Sequence, residues 1–167
     1  MTSRFNLLII IVFLLIFSCG ESAKKENKSS EFKLKTPTAE KIKTSNEKKS
    51  PSTTVDLDNK GIGPVGSVRL EEDINLAMAK QGGDIFKKMC TACHREGKKF
   101  IGPAPNGITE RRTPEWIMNM ILNPEEMVQK DPLAKALLVE FNGAPMANQN
   151  LTKEEARAVL EYFRTLK

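Results

Sequence analysis

Apolar positions along this chain fall into three regimes. Leu7 to Phe17 is an unbroken apolar run of 11 residues. Between residues 20 and 68 the apolar residues, among them Phe32, Leu34, Ile42, Val55, Leu57 and Val65, are scattered through Lys, Glu, Ser, Thr and Asn with no sustained period. From about residue 70 the spacing becomes helical. In 72–89, Ile85, Phe86 and Met89 follow i, i+1, i+4 and share one helical face. Gly82-Gly83 costs that helix stability, so either it begins there or a glycine admits another backbone. Thr113-Pro114-Glu115 is an N-cap with proline at the first helical position. The helix it opens carries Trp116, Ile117, Met120 and Ile121 and stops near Asn123-Pro124. Asn123-Pro124 and Asp131-Pro132 repeat the device, the last opening a helix to about Phe141. Thr152 with Glu155 is a capping box before a final helix, with Ala156, Val159, Leu160 and Phe163 on its inner stripe and Tyr162 beside them. Residues 141–152 read as a non-helical loop, and no stretch reads as a strand. These elements predict a small all-α domain over 69–167, of short helices and long loops. Helices this short do not hold alone, and a domain with so modest an apolar stock needs something else inside it.

The first two regimes are of a different kind. The apolar run is too short to span a bilayer, which takes roughly 20 residues. With Arg4 before it, it fits an export signal. It ends in Ile16-Phe17-Ser18-Cys19-Gly20, which resembles a bacterial lipobox, and predicts a signal peptide over 1–18 with Cys19 lipidated. A plain secretory signal with an incidental cysteine is the alternative. Residues 19–68 have the composition of a disordered tether, with a span on the order of 40 Å. Its last part, 61–70, is less polar and is expected to lie against the domain as an extended lead-in. The formal net charge of +5 does not point to nucleic acid. Residues 70–167 hold 14 basic and 14 acidic residues, so the excess lies in the signal and tether.

Candidate chemistry centres on Cys90-Thr91-Ala92-Cys93-His94. Structural zinc wants four Cys or His ligands, usually in two separated pairs. The chain has three Cys and one His, with no second pair. A thioredoxin-like dithiol belongs at the start of a helix after a strand, and no strand is predicted. C-x-x-C-H is the attachment signature of c-type haem: two thiols add across the vinyl groups as thioethers, and His94 projects under the iron. With a single histidine, bis-histidine ligation within one chain is excluded. Met78, Met118, Met120 and Met127 sit in helical stretches, where Met is usually core filler. Met146 lies 52 residues after His94, in the loop Gly143-Ala144-Pro145-Met146, and is the candidate sixth ligand. The alternative is an ordinary loop residue.

These stretches together resemble the class I, monohaem cytochromes c over roughly 72–167. Gly82-x-x-Ile85-Phe86 before C-x-x-C-H looks like the family's N-terminal helix, and Val159-x-x-Tyr162-Phe163 like its C-terminal helix. The resemblance implies that these two helices cross near a right angle at the glycine. Ile101-Gly102-Pro103-Ala104-Pro105-Asn106-Gly107 is similar to the segment whose proline carbonyl accepts a hydrogen bond from the proximal histidine. That places Pro103 beside His94 and fixes the imidazole tautomer. Trp116 falls where some members bond a haem propionate, core packing being its alternative. Many members have proline after the methionine ligand; here Pro145 precedes it. The implied function is a membrane-tethered one-electron carrier, not an enzyme, with one covalent haem c. Implied partners are a terminal oxidase, a quinol:cytochrome c reductase or a nitrogen-oxide reductase. Lys87, Lys88, Lys98 and Lys99 flank the attachment site, as a docking ring or simply as solvated surface. The alternative function is a haem enzyme or gas binder with an open sixth site.

Overall fold

The computed structural model describes residues 49–167. The expected signal peptide, Cys19 and the first part of the tether lie outside them. Helix α1 is Leu76–Met89. After a single 3-10 turn at Ile108–Glu110 come α2, Pro114–Leu122, α3, Pro124–Lys130, and α4, Pro132–Glu140. The chain closes with α5, Lys153–Phe163. Among the described residues there are five α-helices and no strand, only isolated bridges at Asp56–Arg112 and Arg95–Lys98. This is a small all-α domain.

The caps explain where the helices start. Asn75 Oδ1 accepts from the Met78 amide at 3.0 Å. Thr152 and Glu155 make the reciprocal capping box, at 3.1 and 2.8 Å. Prolines open α2, α3 and α4, with Thr113 and Asp131 side chains capping α2 and α4. Asn123 departs from the expected device. Its side chain caps nothing at the start of α3; its amide nitrogen turns instead to Glu126 at 2.6 Å.

Helix α1 runs straight through Gly82-Gly83, because α5 passes directly over Gly82. A Cβ at Gly82 would overlap the Ala158 carbonyl oxygen and stand 2.8 Å from the Val159 nitrogen. The Phe86 ring centroid lies 5.5 Å from Tyr162 and 5.7 Å from Phe163, the latter edge-on, which suits the aromatic quadrupole. Glu161 anchors the same crossing from its rim. It accepts from the Asn75 amide at 2.7 Å and pairs with Arg157 and Arg164 at 2.5 and 2.7 Å. Burial pushes its carboxyl up, but the Asn75 amide and the two guanidiniums outweigh that and hold it below its ordinary value.

Within the stretch expected to be a tether, the part from residue 61 lies against the domain as the expected lead-in, and residues 50–60 lie against it as well. Residues 50–68 form a strap against α2, α3 and α4. Ser52 donates to Glu140 from its amide, 2.8 Å, and hydroxyl, 2.5 Å. The Ile62 amide lies 3.0 Å from Met127 Sδ, and the Val68 amide donates to Glu115 at 3.0 Å. Asn119, 1 % exposed, accepts from the Val65 amide and donates to the Lys60 and Val65 carbonyls, each at 2.9 Å. Polar helix side chains therefore bind the strap backbone. Apolar periodicity cannot register that kind of attachment.

Asn119→Ala is expected to lower unfolding free energy by about 2–3 kcal/mol, since two buried Val65 backbone groups and the part-buried Lys60 carbonyl lose their partner at roughly 1 kcal/mol each. Urea unfolding checks it, with faster amide exchange at Val65 as the local signature.

Candidate functional site

The end of α1 becomes the site. The Cys90 amide closes the last helical turn on the Phe86 carbonyl at 2.9 Å. The chain then tightens: the amides of Cys93 and His94 both donate to the Cys90 carbonyl, at 3.1 and 2.9 Å. This turn places Cys90, Cys93 and His94 on the wall of one cavity of about 210 Å³. The two cysteines form no disulfide with each other; Cys90 is half-buried and Cys93 exposed. Burial, with Cys93 adding to it, pushes the Cys90 thiol up to about 11.

His94 is aimed by the loop after it. Its Nδ1 lies 2.8 Å from the Pro103 carbonyl oxygen. A carbonyl only accepts, so Nδ1 carries the proton and Nε2 is left as the lone-pair donor. Gly102 makes room for the ring. A Cβ there would stand 2.6 Å from His94 Cε1, and the Gly102 amide is itself tied to the Cys93 carbonyl at 2.8 Å.

Another part of the wall comes from the loop between α4 and α5. Met146 is half-buried and lines the same cavity, with Pro145 and Ala144 beside it. Gly143 and Asn142 take left-handed backbone, φ 74° and 58°, to turn the chain in after α4. The remaining wall is largely apolar, including Phe86, Ile117, Ile121, Leu137 and Val159. Trp116 also lines it, but its indole N–H is directed at Asp131 Oδ1, 3.2 Å away. That bond goes to the buried Asp131 carboxylate between α3 and α4, the packing role given above as the alternative to a propionate contact.

Arg111 and Arg112 also stand on this wall, and sequence reasoning missed them. As an adjacent basic pair before an N-cap they look like ordinary surface. Only the fold turns both toward the cavity.

The residues fit a covalently held haem. Two cysteine sulfurs and one imidazole with its Nε2 lone pair line an apolar cavity, the thioethers of Met89, Met120 and Met146 also stand on its wall, and the only full charges there are two guanidiniums. Zinc fits poorly: among the described residues no group of three or more His, Cys, Asp or Glu converges. Fold and site together define a small helical domain built to carry haem through a C-x-x-C-H turn.

The comparisons agree. The cytochrome c family model matches residues 79–167, and the chain belongs to that family. A cytochrome c from Rhodothermus marinus is 48 % identical, with a TM-score of 0.60, over 62 % of this chain and 88 % of that one. An engineered form of it, Rma TDE, is 48 % identical with a TM-score of 0.60, over 62 % and 89 %. The same engineered protein bound to a carbene intermediate, 1-ethoxy-1-oxopropan-2-ylidene, gives 48 % and 0.57, over 62 % and 88 %. Among curated proteins none matches. The protein is a monohaem, class I cytochrome c with covalent haem c, a haem-based electron carrier that works with partner proteins.

Proposed function

We propose that this cytochrome is a membrane-tethered one-electron carrier of a bacterial respiratory chain, with His94 and Met146 as the two axial ligands. One observation carries the reading: of the three methionines that share the cavity with Cys90, Cys93 and His94, Met89 and Met120 lie in helices and Met146 alone stands in a loop. A bound haem c supplies the Fe(II)/Fe(III) couple. The chain's residues do the rest. Cys90 and Cys93 hold the ring as thioethers. Pro103 orients His94 and makes it more basic through the Nδ1 bond. Met146 gives a soft ligand that favours the reduced metal and raises the potential.

With both axial positions taken, no substrate reaches the metal, and the protein is a carrier, not an enzyme. The relative bound to a carbene intermediate is an engineered protein. In this chain His94 is the only histidine, which leaves no distal imidazole for peroxide chemistry.

Export and anchoring rest on the sequence, through the apolar run and the lipobox ending at Cys19. Lipidated Cys19 holds the protein on the periplasmic side of a bacterial membrane, and the tether lets one domain visit donor and acceptor in turn. Lys87, Lys88, Lys98 and Lys99 are exposed beside the attachment turn. So are Phe100 and Ile101, at 46 and 47 %. A terminal oxidase, a quinol:cytochrome c reductase or a nitrogen-oxide reductase with an acidic rim fits this face.

Potentiometric titration of the holo-protein tests the reading. The expected result is one reversible one-electron step per chain and no turnover of added hydrogen peroxide. Sustained peroxide consumption by the wild type would move the open-site enzyme to the front.

A further inference from the structure

We propose that Asn106 and Tyr162 are positioning residues for His94. From outside the site they fasten the turn that joins His94 to Pro103, and so keep water away from the hydrogen bond between those two residues. The inference rests on the haem reading above.

The His94 Nδ1 proton goes to the Pro103 carbonyl, 2.8 Å away and nine residues further on. Every residue between Arg95 and Ile101 is exposed, so burial does not hold the turn in place. Its one aromatic ring, Phe100, is 46 % exposed, with the Arg95 guanidinium 4.8 Å from its centroid. Backbone bonds close the neck. The Gly102 amide donates to the Cys93 carbonyl at 2.8 Å, and the Phe100 amide to the Gly102 carbonyl at 3.0 Å. At the tip, Gly97 takes left-handed backbone, φ 69°. Exposed backbone hydrogen bonds of this kind open locally, far below the free energy of global unfolding. When the neck opens, water competes for the Nδ1 proton. The imidazole then loses the acceptor that fixes its tautomer and raises its basicity.

Two side chains hold the turn closed. Asn106 Oδ1 accepts from the Gly97 amide at 2.6 Å. The base of that tie is firm, because Asn106 stands between buried Pro105 and buried Gly107. The Gly107 amide donates to the Leu166 carbonyl at 2.9 Å, and Asn106 Nδ2 to the Lys167 backbone oxygen at 3.1 Å. The second tie is the Tyr162 phenol, which donates to the Glu96 carboxylate. Its ring is itself fixed, 5.5 Å from the Phe86 centroid and against Gly83, where an added Cβ would stand 3.2 Å from Tyr162 Cδ2. Burial, with Glu96 adding to it, pushes the phenol up to about 12, so it remains a donor at neutral pH. The two ties come from separate parts of the fold and fall on neighbouring residues, Glu96 and Gly97. Neither Asn106 nor Tyr162 lines the cavity. Any effect they have on the site therefore passes through the turn.

The sign of that effect follows from His94. A less basic imidazole is a weaker donor to oxidised iron, so loosening the turn favours the reduced state. The test uses full-length holo-protein at neutral pH. Nuclear magnetic resonance on the reduced form measures exchange of the His94 Nδ1 proton with water, and spectroelectrochemistry measures the oxidised-to-reduced ratio. Asn106→Ala is expected to speed that exchange about tenfold. It should also shift the ratio about threefold toward reduced, about 28 mV for one electron. Asn106→Asp keeps an acceptor for the Gly97 amide and restores slow exchange. Tyr162→Phe keeps the ring, loses the hydroxyl, and speeds exchange several-fold. Exchange at the Val65 amide, held elsewhere by Asn119, stays at its wild-type rate in all three. Unchanged exchange in Asn106→Ala overturns the role of Asn106, and unchanged exchange in Tyr162→Phe overturns the second tie. Equal acceleration at Val65 makes both residues general stabilisers and overturns the proposal. If Asn106→Ala yields no holo-protein, Tyr162→Phe decides. A wild type with no covalent haem spectrum sinks the haem reading itself, which separates the two failures.

Discussion

Gly82→Val is expected to prevent folded holo-protein from accumulating. The Cβ alone would overlap the Ala158 carbonyl, and what it meets is helix backbone on both sides. Backbone within two helices cannot swing aside as a side-chain tip can. Overpacking a core costs about 1–3 kcal/mol even where neighbours yield. Here α1 would also be lifted from α5, loosening Phe86 from Tyr162 and Phe163. The expected loss is therefore at least about 4 kcal/mol, a large part of the roughly 5–15 kcal/mol that holds a domain. Because the attachment turn continues directly from α1, haem content falls with stability. Gly66→Ala is the control, since no atom stands within 4 Å of its added Cβ; it should stay within about 0.5 kcal/mol of wild type. Urea unfolding and haem yield measure both. A Gly82→Val protein within about 1 kcal/mol of wild type would mean that the helix contact has been misjudged.

Met146→Ala is expected to leave the fold largely in place and transform the iron. The loop around Met146 meets the rest of the domain lightly; Asn148 reaches the Leu122 carbonyl at 3.3 Å, and Met146 itself is half-buried. Its removal costs little packing but takes away the thioether. The potential should drop by on the order of 100 mV or more, out of the roughly 0.8 V that axial ligands span. The variant should become high-spin and bind carbon monoxide when reduced. Retention of the wild-type potential would assign Met146 to loop packing.

Much of this was legible in the sequence because its signals are local. Pro114, Pro124 and Pro132 open helices by fixing φ, and the Thr152–Glu155 box is a reciprocal contact within one turn. C-x-x-C-H is likewise a single turn, so its residues arrive together. Gly82-Gly83 left two readings open, because the backbone it admits is Ala158, far along the chain. What stayed hidden depended on distant partners. The strap has no apolar period; Asn119, Glu115 and Glu140 hold it by hydrogen bonds across 47 to 88 residues of sequence. Trp116 was visible as an aromatic residue near the site, but only the fold brings Asp131 to its indole nitrogen. Arg111 and Arg112 carried no distinguishing pattern. Only the fold brings them to the cavity wall.

The optical spectrum of the oxidised holo-protein tests the central claim most directly, because it reports the occupant of the sixth position without any variant. With His94 and Met146 both bound, the iron is low-spin and shows the weak long-wavelength sulfur-to-iron band. A high-spin spectrum without that band, together with ready carbon monoxide binding after reduction, would contradict the account and leave an open coordination site in its place.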